Sequence, residues 1–160
     1  MTPSRRAVRN QHLHAVEQVS RRWRGIQRTP RPHVARVFRR HRAPLVATMA
    51  VAANNYAATL IDLKRFEEVR SLMRGLVPVA RRVLGESDIL LFRIRLSYAE
   101  ALYKADGATL KELREAVTTI EELERTARRV LGGAHPLTKD IERHLQYARA
   151  ALRARESLHT

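Results

Sequence analysis

The chain has 160 residues, 44% of them hydrophobic and 29% charged, with a formal net charge of +15. That length and balance suit one domain with an ordinary buried core and exclude a disordered chain. The absence of cysteine excludes a disulfide framework, a Cys-ligated zinc finger and a thiol nucleophile, and fits a reducing compartment.

Charge is uneven along the chain. Residues 1–44 hold 12 arginines and one acid, Glu17, whereas residues 45–160 hold 19 basic and 15 acidic side chains. A basic N-terminal region is therefore set at residues 1–43. Val16, Val19, Trp23 and Ile26 keep helical spacing over about 5–28. Thr29-Pro30-Arg31-Pro32 stops that helix, and His33 to Arg42, with Val34, Val37 and Phe38, suggests another. The pair reads as a degenerate first repeat docked on the rest. Being Arg-rich, acid-poor and amphipathic, it also reads as an organelle presequence. A third reading is phosphate-backbone contact with RNA or DNA through Arg21, Arg22, Arg24, Arg28, Arg36, Arg39, Arg40 and Arg42. Arginine outnumbers lysine 27 to 4, which GC-rich codon usage would also produce.

Five helices and no strand are predicted over residues 44–156, with a short tail at 157–160. The first spans about 45–60, with Met49, Ala52, Ala53, Tyr56, Ala57 and Leu60 on one face. After the connector Asp62-Leu63-Lys64-Arg65, the second runs from Phe66 towards Leu84 through Val69, Leu72, Met73, Leu76, Ala80 and Val83. Pro78 lies inside it, where proline costs about 3 kcal/mol, so a kink or break is expected near Val77 with a fresh helix from Pro78. The third carries Leu91, Ile94, Tyr98, Ala101 and Leu102. Asp106-Gly107-Ala108 makes a turn, and Thr109-Leu110-Lys111-Glu112 has the spacing of a capping box. The fourth carries Leu113, Ala116, Val117, Ile120, Leu123, Ala127 and Val130. Gly85 and Gly132 can each take the left-handed conformation that ends a helix, and Pro136 opens the fifth, with Leu137, Ile141, Leu145, Ala148 and Leu152. The longest apolar run, residues 45–53, is too short to span a bilayer, so no membrane span is expected.

Repetition organises these helices. Ala-Arg-Arg-Val-Leu-Gly occurs at residues 80–85 and again 47 residues later at 127–132. Tyr56-Ala57-x-x-Leu60, Tyr98-Ala99-x-x-Leu102 and Tyr147-Ala148 keep step with it, and Val34-Ala35-Arg36-Val37-Phe38 is a faint upstream copy. This period belongs to helical-repeat arrays, which bind other proteins far more often than they catalyse.

A helix with Asn54-Asn55-Tyr56-Ala57-x-x-Leu60, a short turn, and a helix from Lys64-Arg65-Phe66-Glu67-Glu68 to Gly85 resembles tetratricopeptide repeats of the kinesin-light-chain type. The junction Val130-Leu131-Gly132-Gly133-Ala134-His135-Pro136-Leu137-Thr138 is similar to that family's junction as well. The resemblance covers about residues 43–155. The junction Gly85-Glu86-Ser87-Asp88 departs from it by lacking His-Pro, and the Asn-Asn pair appears once. The resemblance implies an all-α fold of antiparallel helical hairpins, stacked as a short right-handed TPR-like solenoid. It also implies a concave groove, lined by the first helix of each hairpin, that clasps an extended peptide. Carried over by position, Asn55 is the leading groove residue, with Asn54 beside it. Aligning the tyrosines puts Ser97 and Gln146 opposite Asn55. Arg93, Arg143 and Arg149 lie on the same helices and would favour an acidic segment.

No phosphate loop, His-Glu-x-x-His or Gly-x-Ser-x-Gly word is present, so no catalytic residue, cofactor or metal is predicted. Asp140 and His144 have i, i+4 spacing, but two ligands do not make a metal site. His135 reads as part of a helix start. The expected function is a non-enzymatic scaffold that binds a protein or peptide, acidic in character, in the cytoplasm. Nucleic-acid binding by the basic region, or targeting to a mitochondrion or plastid, is the alternative. Dimerisation through the open repeat ends is a further expectation.

Overall fold

A computed structural model describes residues 34–158, with side chains from Pro44 onward. The segment bearing Val16, Val19, Trp23 and Ile26, the Thr29-Pro30 stop and the presequence reading lie outside the described residues. So do Arg21, Arg22, Arg24 and Arg28 and the side chains of Arg36, Arg39, Arg40 and Arg42.

The described chain forms α1 (Val34–Asp62), α2 (Phe66–Leu84), α3 (Ile89–Tyr103), α4 (Leu110–Leu131) and α5 (Pro136–Ser157), with no strand among the described residues. Two expected boundaries are corrected. A separate helix ending at Arg42 and another starting near Leu45 are instead one helix, α1, which runs through the 43/44 boundary and through Pro44. Likewise α2 continues through Pro78 with no break near Val77 and no fresh start. A proline cancels one backbone bond, but Pro44 and Pro78 both stand exposed, so neither displaces core packing. Burial of Leu76 and Ala80 on the opposite face carries α2 onward.

Each helix packs on its neighbour in the chain, α1 also touches α3, α3 touches α5, and α2 and α4 do not pack directly. The helices thus form two rows, α1–α3–α5 and α2–α4, with α3 in contact with all the others. This explains why α3 is apolar nearly all round, as a helix enclosed by neighbours must be. Leu91, Ile94 and Ala101 join the core shared with α1 and α2. Phe92, Leu96, Ala99 and Leu102 join the core shared with α4 and α5.

The repeated hexamer marks a repeated structure. Val69, Met73, Leu76 and Ala80 of α2 are buried, and so, at the same 47-residue offset, are Ala116, Ile120, Leu123 and Ala127 of α4. Both helices stop in the same way. Gly85 and Gly132 take φ of 87° and 86°, which glycine alone adopts without strain, and their N–H groups bond Arg81 O and Arg128 O. Three residues on, Asp88 and His135 cap the next helix: the Asp88 carboxylate accepts from Leu90 N–H at 2.7 Å, and His135 Nδ1 accepts from Leu137 N–H at 3.1 Å. The departure at residues 85–88 is therefore only in spelling, since aspartate supplies the acceptor that histidine supplies later. Replacing either Asp88 or His135 with alanine should cost about 1 kcal/mol, measured by urea unfolding. The two losses should add, because the caps share no partner.

The capping box is formed as expected, with the Glu112 carboxylate accepting from Thr109 N–H at 2.8 Å. The 19-residue stretch Pro44–Asp62 contains an 18-residue window of mean hydropathy 1.2, long and apolar enough to cross a membrane by composition alone. Part of its apolar surface is taken up by the fold: Met49, Ala50, Ala53, Ala57 and Leu60 are buried, whereas Leu45 and Val51 are exposed.

Candidate partner groove

Where α1 meets the start of α3 an open groove of about 640 Å³ forms, lined by Val51, Asn54, Asn55, Ser87, Asp88, Ile89, Leu90 and Arg93. The cap at Asp88 fixes where α3 begins, and so which way Ile89 and Arg93 project. Asn54 and Asn55 reach the same space from α1. The Ser97 hydroxyl donates to Asn54 Oδ1 at 3.5 Å, which joins Ser97 to the groove wall and leaves the Asn54 amide N–H groups available. Asn55 is exposed, and its side-chain amide has no hydrogen-bond partner among the described residues. Arg93 is exposed with no acid paired to it among the described residues. Apolar surface lies between these polar groups, since Val51 and Ile89 are 47% and 43% exposed. Two amides, an unpaired guanidinium and aliphatic surface are the means to hold an extended backbone and a carboxylate together.

The structure brings Asn54, Asn55, Arg93 and Ser97 together and keeps Arg143, Gln146 and Arg149 apart from them. Arg149 crosses to Glu121 of α4 at 2.7 Å, and Arg143 pairs with Asp140 on its own helix. Gln146 is exposed on α5. Matching the helix caps rather than the tyrosines sets α3 and α5 47 residues apart. His144, not Gln146, then stands opposite Ser97. The tyrosines mislead because their surroundings differ: Tyr98 bonds Glu115 of α4 at 2.7 Å, while Tyr147 is 52% exposed.

His144 joins α5 to α3 through a 2.7 Å hydrogen bond between Nδ1 and the Tyr103 hydroxyl. Burial lowers the imidazole below its ordinary 6.5, although Glu100 and Asp140 pull the other way and Lys104 and Arg143 assist. Burial likewise raises the Tyr103 phenol. Tyr147 completes the surroundings edge-on at 6.3 Å. The folded state holds His144 neutral more strongly than the unfolded chain does. Its contribution is therefore present above about pH 6.5 and is lost as pH falls through the lowered folded value. Urea unfolding at about pH 7.5 and about pH 5.5 should show the loss in the native chain and a flatter profile in His144→Gln.

Sequence reasoning missed two buried arginines. Arg70 of α2 and Arg95 of α3 are each 8% exposed; Arg70 pairs with Glu67 and Glu112, and Arg95 with Glu122 at 2.7 Å. The available signal was an arginine interrupting an apolar stripe. No group of three or more potential metal-ligating His, Asp or Glu side chains occurs among the described residues. No known protein family, curated protein or solved structure matches the chain.

Proposed function

We propose that this chain is a non-enzymatic interaction module of the tetratricopeptide kind, a short right-handed stack resembling the kinesin-light-chain type. It holds an extended, acidic segment of a protein partner in the α1–α3 groove, in the cytoplasm. The observation that carries this reading is the unpaired Arg93 set beside Asn54 and Asn55 in one open groove. The repeated junctions and the two-row packing support the stacked-hairpin part of it. Rigid helices present the groove side chains already in place, so on binding the partner alone loses conformational freedom.

The test is selection from a random peptide display library on the full chain, followed by affinity measurement on variants. Acidic sequences should be enriched. Asn55→Ala and Arg93→Glu should each weaken the selected peptide, Arg93→Glu by roughly tenfold or more, with the helical circular dichroism unchanged. Equal affinity for both variants and the native chain would rule the groove out as the partner site.

A further inference from the structure

The other face of the molecule carries a second polar feature. Because α2 and α4 do not pack on each other, a furrow runs between them, floored by α3. Arg70 crosses it at one end to reach Glu112, and Tyr98 stands in its middle, bonded to Glu115. At the other end it widens to about 620 Å³ around Arg81, Arg95, Arg125 and Arg129, with Glu86 and Glu122 the acids lining it.

The charges there do not cancel. Glu86 pairs with Arg81 at 2.6 Å and lies 3.9 Å from Arg95, and Glu122 pairs with Arg95 at 2.7 Å. Arg125 spends its Nε on the backbone carbonyl of Glu121, and Arg129 has no bonded partner among the described residues. Two guanidinium groups one helical turn apart on α4 therefore face the space without a counter-charge. Arg129 lies in the last turn of α4, where a cation complements the helix dipole. Arg125 lies before that turn, so the dipole does not account for it.

We propose that this end of the furrow is a binding site for a phosphoryl dianion. The two unmatched positive charges equal the charge of a phosphate group near neutral pH, about −1.5 to −2. Guanidinium forks suit its tetrahedral oxygens better than they suit a single carboxylate. Arg95, held rigidly at the floor, offers further N–H groups to an oxygen that enters between its acids. The site lies on the opposite row from the α1–α3 groove and does not depend on it. The anion comes either from free phosphate or from a phosphorylated side chain of a partner.

The experiment is a residue-resolved NMR titration of the full chain at constant ionic strength. Inorganic phosphate is used in one arm, an Ala-phosphoserine-Ala peptide in a second, and its unphosphorylated form as control. Saturable shifts at the Arg95 side-chain Nε and at the Thr126 and Arg129 amides are expected, weakened roughly tenfold in Arg125→Gln/Arg129→Gln and retained in Arg153→Gln. Saturation by both ligands, or by either alone, supports the site and identifies its source. No saturable shift with either ligand, or equal shifts in the double variant, overturns the proposal. Residue resolution separates this site from phosphate attracted by the arginines of residues 1–44, and failure here would leave the peptide groove untouched.

Discussion

Phe92→Ala is expected to lower the free energy of unfolding by about 3–5 kcal/mol. Phe92 is the largest fully buried side chain among the described residues, 1% exposed, and belongs to the core made by α3, α4 and α5. Alanine there removes the apolar transfer term and leaves a cavity, because helices held by other contacts collapse only in part. A domain of this size has roughly 5–15 kcal/mol in all, so the variant would stand near its unfolding threshold. Urea unfolding followed at 222 nm would measure the loss. Val130→Ala, at an α4 position 40% exposed, should stay within about 0.5 kcal/mol. A loss below about 1 kcal/mol at Phe92 would mean that α4 and α5 do not enclose α3.

The second large effect is an asymmetry between two partners of one ion pair. Glu112 accepts from Thr109 N–H and from the Thr109 hydroxyl, both at 2.8 Å, and also pairs with Arg70 across the furrow. Glu112→Ala removes the capping box and strands Arg70, whose side chain is 9% exposed and keeps only the outlying Glu67. Stranding a buried charge and losing a cap should together cost about 2–4 kcal/mol. Arg70→Met should cost less than about 1 kcal/mol. It trades a buried ion for an apolar side chain of similar length, and Glu112 keeps its Thr109 bonds.

Acid unfolding carries the same signature. The Thr109 backbone and hydroxyl bonds, helped by Arg70, hold the Glu112 carboxyl below its ordinary 4.5. Its contribution is thus present above about pH 4.5 and lost as pH falls through the lowered folded value, and Glu112→Ala should lose that part of the acid limb. The Glu112 window opens near pH 4.5 and that of His144 near pH 6.5, so the two losses begin at different points of one titration.

What could be read from the sequence was whatever is local. Most of the stripe expected on α4 is buried, at Leu113, Ala116, Ile120, Leu123 and Ala127, because a 3.6-residue period needs no partner to be recognised; Val130, expected on the same stripe, is exposed. Thr109 with Glu112, and the two left-handed glycines, are equally local. Asp88 was missed as the counterpart of His135 because two different residues supply the same acceptor. Pro78 was overestimated as a breaker, since packing of Leu76 and Ala80 on either side of it holds α2 together despite the lost backbone bond. The bonds of Arg70 to Glu112 and of Arg95 to Glu122 could not be paired in advance: these carboxylates lie 42 and 27 residues away, on a helix whose rotation only packing decides. The groove was half legible. Asn54, Asn55 and Arg93 lie on the two helices that the family resemblance put side by side, whereas Gln146 depended on a tyrosine register that the caps displace, and Arg143 and Arg149 are taken up by Asp140 and Glu121.

The central claim is that the two junctions, residues 85–89 and 132–136, are one structure repeated. The most direct measurement is urea unfolding of the four-substitution variant Glu86→Gly, Ser87→Ala, Asp88→His and Ile89→Pro, which writes the second junction into the first without changing its length. The prediction is a single cooperative transition with native helical dichroism, within about 2 kcal/mol of the parent, since a cap is exchanged for a cap, the Arg81–Glu86 pair is exposed, and the buried Arg95 loses only its distant contact to Glu86 and keeps Glu122. A non-cooperative transition, or helicity falling by the length of α3, would contradict the claim.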